Sequence, residues 1–106
     1  MAVKNKLTDF ENEVLEVIKK IKKGRVSTYR EAARALGRPK AARAVGNALN
    51  KNPHAPKVPC HRIVKSDGAL GGYAGGAKKK AELLGREGLA IIKGKIKDFN
   101  EKFMRL

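Results

Sequence analysis

From Leu7 to Lys23 the apolar residues Leu7, Phe10, Val14, Val17, Ile18 and Ile21 recur at spacings of three and four, which predicts one amphipathic helix. Thr8 and Glu11 form a capping box at its start. Lys19, Lys20, Lys22 and Lys23 complement its C-terminal dipole, and Gly24 is its expected stop. After Arg25-Val-Ser-Thr-Tyr29, a second box from Thr28 to Glu31 opens a short helix with Tyr29, Ala32, Ala33 and Leu36 on its inner face. Gly37-Arg38-Pro39 ends it. Pro39 suits the first position of a further helix running from Lys40 to Asn50. Two short helices around a glycine-containing turn predict a helix-turn-helix over about residues 28–50. In its second helix Ala41, Val45, Ala48 and Leu49 face the core, while Lys40, Arg43, Asn47 and Asn50 align on the other side. Gly46 interrupts this helix at a cost of about 1 kcal/mol relative to alanine. It fits either close helix packing or a place where backbone approaches a partner.

Downstream, prolines 53, 56 and 59 exclude helix and interior strand up to Cys60. Ile63-Val64-Lys65 reads as a short extended piece ending in a Ser66-Asp67-Gly68 turn, and five glycines then surround Tyr73. This loop matches neither G-x-G-x-x-G nor G-x-x-x-x-G-K-[ST]. Ala77 to Leu84 predicts a helix closed near Gly85, Ile91 to Ile96 a hairpin, and Asp98 to Leu106 a last helix with Phe99, Phe103 and Leu106 on one side. The expected fold is mainly α, a small winged-helix-like domain with a helix-turn-helix and minor short strands.

Composition narrows the function. The chain has 106 residues, of which 25 are Lys or Arg and 10 Asp or Glu, a net charge of +15. A chain of this size supports one core, so a single domain over residues 1–106 is expected, with catalysis and binding sharing it. The excess charge is the footprint of a polyanion binder, nucleic acid above all, although lysine-rich surfaces also serve thermostability and other anionic surfaces. No apolar run reaches membrane length and the N-terminus lacks a secretion stretch, so a cytoplasmic, membrane-free protein is expected, nucleoid-associated in a prokaryote.

Cys60 is the single cysteine, so no internal disulfide forms. Such a residue is commonly a small buried hydrophobe. Here Pro59 stiffens the chain entering it and His61 and Arg62 follow, in a positive field that favours thiolate. A nucleophilic thiol needs a base and the base an orienting acid. His54 and His61 are the two histidines, and Glu87 stands isolated in Gly85-Arg86-Glu87-Gly88. A metal site from His54, Cys60 and His61 is disfavoured, because adjacent Cys60 and His61 rarely point at one ion and no fourth ligand is evident. No metal or cofactor is expected.

Pro59-Cys60-His61-Arg62-Ile63-Val64, preceded by Ala42-Arg43-Ala44-Val45-Gly46 and Asn52-Pro53, is followed by Gly68-Ala69-Leu70-Gly71-Gly72-Tyr73-Ala74-Gly75-Gly76 and Leu83-Leu84-Gly85-Arg86-Glu87-Gly88. This ordered set closely resembles the active-site domain of 6-O-alkylguanine-DNA alkyltransferases from about Phe10 to Gly88, with residues 59–64 as its active-site motif. The resemblance implies a monomer that acts on double-stranded DNA containing 6-O-alkylguanine and takes the alkyl group irreversibly onto Cys60. His61, through a water, would take the thiol proton, Glu87 would hold His61, Tyr29 would donate a proton to the departing guanine, and Asn52 would brace the turn before Cys60. Arg43 would fill the gap left by the extruded nucleotide, with the recognition helix in the minor groove; Lys40, Asn47, Lys51 and Tyr29 complete the implied DNA contacts. Tyr73, Ala74 and Gly75 would wall the substrate pocket, with Lys80 near it.

Three departures stand out. The matching region begins almost at the chain start, so no N-terminal domain is expected, and residues 89–106 form a C-terminal extension whose Phe99 and Phe103 would cover core surface. Ala74 stands where the family commonly has serine. The family also includes non-catalytic lesion-binding members, in which tryptophan typically replaces the cysteine; this chain has no tryptophan and keeps Cys60. A basic helix-turn-helix DNA binder with an incidental cysteine is a third reading, and it leaves Cys60, His61 and Glu87 unexplained.

Overall fold

The computed structural model describes residues 8–51 and 57–106. Leu7, Asn52 and His54, and with them prolines 53 and 56, lie outside the described residues.

Helix α1 (Asp9–Ile18) starts at the expected capping box: the Glu11 amide donates to Thr8 Oγ1 and the Thr8 amide donates to Glu11 Oε1. It ends five residues before Lys23, the expected end. Turning there brings Ile21 into the core and frees its carbonyl, which accepts from the Arg62 guanidinium at 2.7 Å. Long-range bonding thus overrides a locally good helical pattern.

Strand β1 (Ser27–Thr28) leads directly into α2 (Tyr29–Ala35). Thr28 Oγ1 caps α2 by accepting from the Glu31 amide, but the Glu31 carboxylate does not close the predicted box. It binds Arg34 and the Leu106 amide instead. Helix α3 is Ala42–Leu49, shorter than the expected Lys40 to Asn50. The Ala41 amide bonds the Arg38 carbonyl, so Pro39 and Lys40 lie in the turn and Ala41 is the cap. Val45, Ala48 and Leu49 are buried against α1 and α2, and Arg43, Asn47 and Asn50 are exposed, as the spacing predicts.

A 3-10 turn, Cys60–Arg62, runs into β2 (Ile63–Val64), which pairs in parallel with β1, Ser27 opposite Ile63 and Thr28 opposite Val64. Successive strand residues point to opposite faces. Accordingly Ile63 joins a core with Val14, Ile18, Ala33, Val45 and Cys60, while Val64 joins a second core with Val26, Leu84, Leu89 and Ile96.

Helix α4 (Ala77–Arg86) closes near Gly85 as expected, one residue beyond it, and Gly88, at φ +90°, follows the helix end. The hairpin β3 (Ile91–Ile92) and β4 (Lys95–Ile96) is present, its two turn residues Lys93 and Gly94 both at positive φ as a type I′ turn requires. The predicted last helix shrinks to one turn, α5 (Phe99–Lys102). Beyond it Phe103 bridges Val26: the Val26 amide donates to the Lys102 carbonyl and the Met104 amide to the Val26 carbonyl. Phe99 packs on the second core and Leu106 on the first. The fold is mainly helical with a few short strands, as expected.

Candidate active site

Cys60 lies at the start of the 3-10 turn, buried within the first core, and borders a cleft of about 590 Å³. The N-terminal end of α2 supplies Tyr29 to this cleft, α3 supplies Arg43, Gly46 and Asn47, and the glycine loop supplies Tyr73 and Ala74.

His61 follows Cys60 in the same 3-10 turn. His61 is 1% exposed, and its Nε2 donates to Glu87 Oε2 at 3.0 Å. That bond places the ring's lone pair on Nδ1, which is buried and has no hydrogen-bond partner among the described residues. The Tyr73 ring stands edge-on to His61, centroids 6.4 Å apart. Burial pulls the His61 pKa below its ordinary value, and the opposing pull of Glu87 only partly offsets this. The ring is therefore neutral at pH 7 and able to accept a proton. Burial pushes the Glu87 carboxyl up, but the Arg62 and His61 hydrogen bonds outweigh it and the net shift is down. Arg62 grips Glu87 with two bonds, Nε to Oε1 at 2.9 Å and Nη2 to Oε2 at 2.7 Å, while its Nη1 holds the Ile21 carbonyl. The Glu87 carboxylate is thus fixed from α1's end and from the active turn together.

Lys80 is fully buried, its ammonium donating to the carbonyls of Ile63, Leu70 and Gly72. Three carbonyls use all three of its protons. Burial pulls its pKa down to about 8, and its electrostatic coupling to Cys60 opposes this. The Gly72 carbonyl also accepts from Tyr29 Oη at 3.3 Å, so one loop residue ties the tyrosine and the lysine together. Burial raises the Tyr29 pKa, and electrostatic coupling to Cys60 adds to the rise, so the phenol keeps its proton at neutral pH.

Of the residues singled out from sequence, Cys60, His61, Glu87 and Tyr29 come together, while Asn52 lies outside the described residues. Arg43 and Asn47 are exposed on the cleft's helical wall. Lys40 is exposed in the turn before α3, and Lys51 pairs with Glu11 at 2.7 Å. Tyr73 and Ala74 line the cleft, Gly75 lies against the Tyr73 ring, and Lys80 sits beneath the wall rather than in it. A methyl group at Gly46 would meet the Tyr29 ring at 3.6 Å, an ordinary contact, so packing within the chain does not demand glycine there. Gly71 is different: at φ +71° its Cβ would come within 3.1 Å of Tyr29 Oη. Sequence reasoning gave no individual weight to Gly71, Arg62 or Lys65; the position of Arg62 two residues after Cys60 was the available signal. Among the described residues no group of three or more His, Cys, Asp or Glu side chains could hold a metal ion, and no helix is long and apolar enough to cross a membrane.

Known proteins share the fold and the family. The family model described as "6-O-methylguanine DNA methyltransferase, DNA binding domain" matches residues 9–89. The chain is 46% identical over 85 residues to the methylated-DNA–protein-cysteine methyltransferase of Salmonella typhimurium, covering 80% of this chain and 50% of that protein. It thus spans about half the length of that relative. Among solved structures, Mycobacterium tuberculosis OGT in complex with DNA is 44% identical, with a TM-score of 0.74 over 77% of this chain and 51% of that one. Schizosaccharomyces pombe (S. pombe) Atl1, in complex with damaged DNA containing O6-carboxymethylguanine, is 30% identical with a TM-score of 0.82 over 95% of this chain and 99% of that one. With the family's domain matching from residue 9 to residue 89, this chain belongs to the 6-O-methylguanine-DNA methyltransferase family.

Proposed function

We propose that this protein repairs 6-O-alkylguanine in duplex DNA by transferring the alkyl group to Cys60, once per molecule. The observation that carries this reading is a cysteine bordering an open cleft, followed directly by a buried neutral histidine whose far nitrogen is held by an arginine-bound carboxylate. It is a nucleophile, base and orienter set. His61 takes the thiol proton through an intervening water, and Glu87 holds the ring so that Nδ1 stays available. The Cys60 sulfur bonds to the alkyl carbon, the bond from that carbon to oxygen-6 breaks, and its electron pair stays on guanine. Tyr29 supplies the proton that neutralises the departing base.

A base inside a duplex is unreachable, so it must leave the stack. Arg43, exposed on the cleft's helical wall, fills the gap. Ala42, Ala44, Gly46 and Ala48 keep α3 narrow enough for a minor groove, and Lys40, Asn47 and Lys51 add polar and phosphate contacts. Tyr73, Ala74 and Gly75 wall the pocket, and Lys80 secures the loop behind it. The chain acts as one monomeric unit, residues 1–106, in the cytoplasm or at the nucleoid.

A second reading is lesion binding without chemistry, favoured by the match to nearly the whole of Atl1. Mass spectrometry after incubation with a duplex carrying one 6-O-methylguanine separates the two. Transfer predicts a stoichiometric gain of one methyl on the Cys60 peptide, absent in Cys60→Ser. Tight lesion binding with no gain would make the protein a sensor.

A further inference from the structure

The cleft beside Cys60 carries a cation outside the proposed catalytic set. Lys65 follows β2 and lines the cleft together with Tyr29, Gly71 and Tyr73. Its backbone is fixed on both sides, the amide donating to the Ala69 carbonyl at 2.8 Å and the carbonyl accepting from the Gly68 amide at 2.9 Å. The aliphatic stem passes the bare Gly71 position, where a Cβ would lie 3.5 Å from Lys65 Cγ and 3.1 Å from Tyr29 Oη. The side chain therefore shares one small patch with the Tyr29 hydroxyl.

Charge in this cleft is one-sided. Among the described residues its charged lining residues are Lys65 and Arg43, and neither Asp nor Glu lines it. Asp67 feels the Lys65 charge, but its carboxylate accepts from the Ala69 amide at 3.0 Å and approaches Lys95 at 3.9 Å. Among the described residues Lys65 forms no ion pair. Lys80 is committed to three carbonyls beneath the wall. Lys65 is exposed, so the attraction it offers an anionic ligand group at the cleft is that of a surface charge, modest and weakened by salt.

We infer that Lys65 makes the cleft selective for guanine adducts whose alkyl group carries a carboxylate, 6-O-carboxymethylguanine being the smallest. This rests on the transferase reading. In such an adduct the carboxylate repels the incoming thiolate, and Lys65 offsets that repulsion. The sulfur forms its bond to the methylene carbon, the carbon–oxygen-6 bond breaks with its pair on guanine, and Tyr29 protonates the base as for methyl transfer. The carboxylate is carried onto sulfur unchanged, giving S-carboxymethylcysteine, and Lys65 keeps its proton.

The test measures single-turnover transfer, by intact-protein mass, from duplexes carrying 6-O-methylguanine or 6-O-carboxymethylguanine at one position. Wild type, Lys65→Gln and Lys65→Arg are compared. The carboxymethyl-to-methyl rate ratio is expected to fall about fivefold in Lys65→Gln, the range of a partly exposed ion pair, and to recover in Lys65→Arg. In wild type it should also fall as salt is raised. An unchanged ratio in Lys65→Gln overturns the inference, even if both rates drop together, since that makes Lys65 a phosphate contact. Methyl transfer without any carboxymethyl transfer in wild type overturns it as well. Transfer from neither duplex instead brings down the transferase reading on which it stands.

Discussion

Two regions of this molecule are built around the same device and use it differently. At the α2 start, Glu31 accepts Arg34 Nε on one oxygen and Nη2 on the other, then the Leu106 amide. At the active turn, Glu87 accepts Arg62 Nε on one oxygen and Nη2 on the other, then His61 Nε2. In each, a bidentate arginine fixes the carboxylate plane so that a third donor has one place to bind. What differs is that donor. A peptide amide cannot titrate, so the Glu31 assembly is a clasp that fastens the tail to α2. An imidazole can, so the Glu87 assembly sets which ring nitrogen holds the proton. The same geometry is structural or chemical according to the pKa of its third partner.

The strongest way to break the comparison is Glu87→Gln. Loss of the carboxylate should slow single-turnover transfer about 100-fold or more, because the His61 tautomer is no longer enforced. A rate within threefold of wild type would reduce Glu87 to a clasp like Glu31. Next comes Glu31→Gln, which should lower unfolding free energy by about 2 kcal/mol in urea, the scale for weakening bonds to a buried charged group. Transfer should stay within about threefold, since Glu31 touches no cleft group used in the reaction. Deleting Asp98 to Leu106 should lower the melting temperature further, and an unchanged value would mean the tail fastens nothing.

Acid gives the finest discrimination. Glu31 is held at about 2, first by its Arg34 bond and against burial, so its contribution to stability is full above 4.5 and is lost as pH falls towards 2. His61 is displaced below 6.5 by burial, so the unfolded chain takes up protons first and the active turn begins to weaken as pH drops through 6.5. The transfer rate should fall about tenfold per pH unit on an acid limb whose midpoint lies below 6.5. An NMR titration of His61 with its midpoint above 6.5 would contradict the assignment.

The helix-turn-helix could be read from sequence because its signals are local. Thr8 and Glu11 cap α1, Thr28 opens α2, and the three-and-four spacing sorts Val45 and Leu49 from Arg43 and Asn47. The misread boundaries answer to distant partners. Ile21 leaves the helical ladder for Arg62, 41 residues away, and Phe103 leaves a helical pattern to bridge Val26. The second capping box failed at Glu31 because Arg34 and Leu106 compete for its carboxylate. The site divides the same way. Cys60 announced itself through its neighbours, but the meeting of His61 with Glu87 came from family resemblance, and Lys65 and Gly71 gain meaning only from a three-dimensional cleft.

Cys60 is also a member of the first hydrophobic core, in one cluster with Val14, Val45, Val58 and Ile63. Under the proposed transfer, an atom so placed writes its product into the packing. An added group that crowds this cluster costs about 1–3 kcal/mol through displaced neighbours, a large fraction of what holds a small domain together. Under the proposed transfer, a spent molecule differs from a fresh one in its folding equilibrium as well as its chemistry. Its used state is then open to any protease that samples unfolded chains, without a separate receptor for the alkyl group.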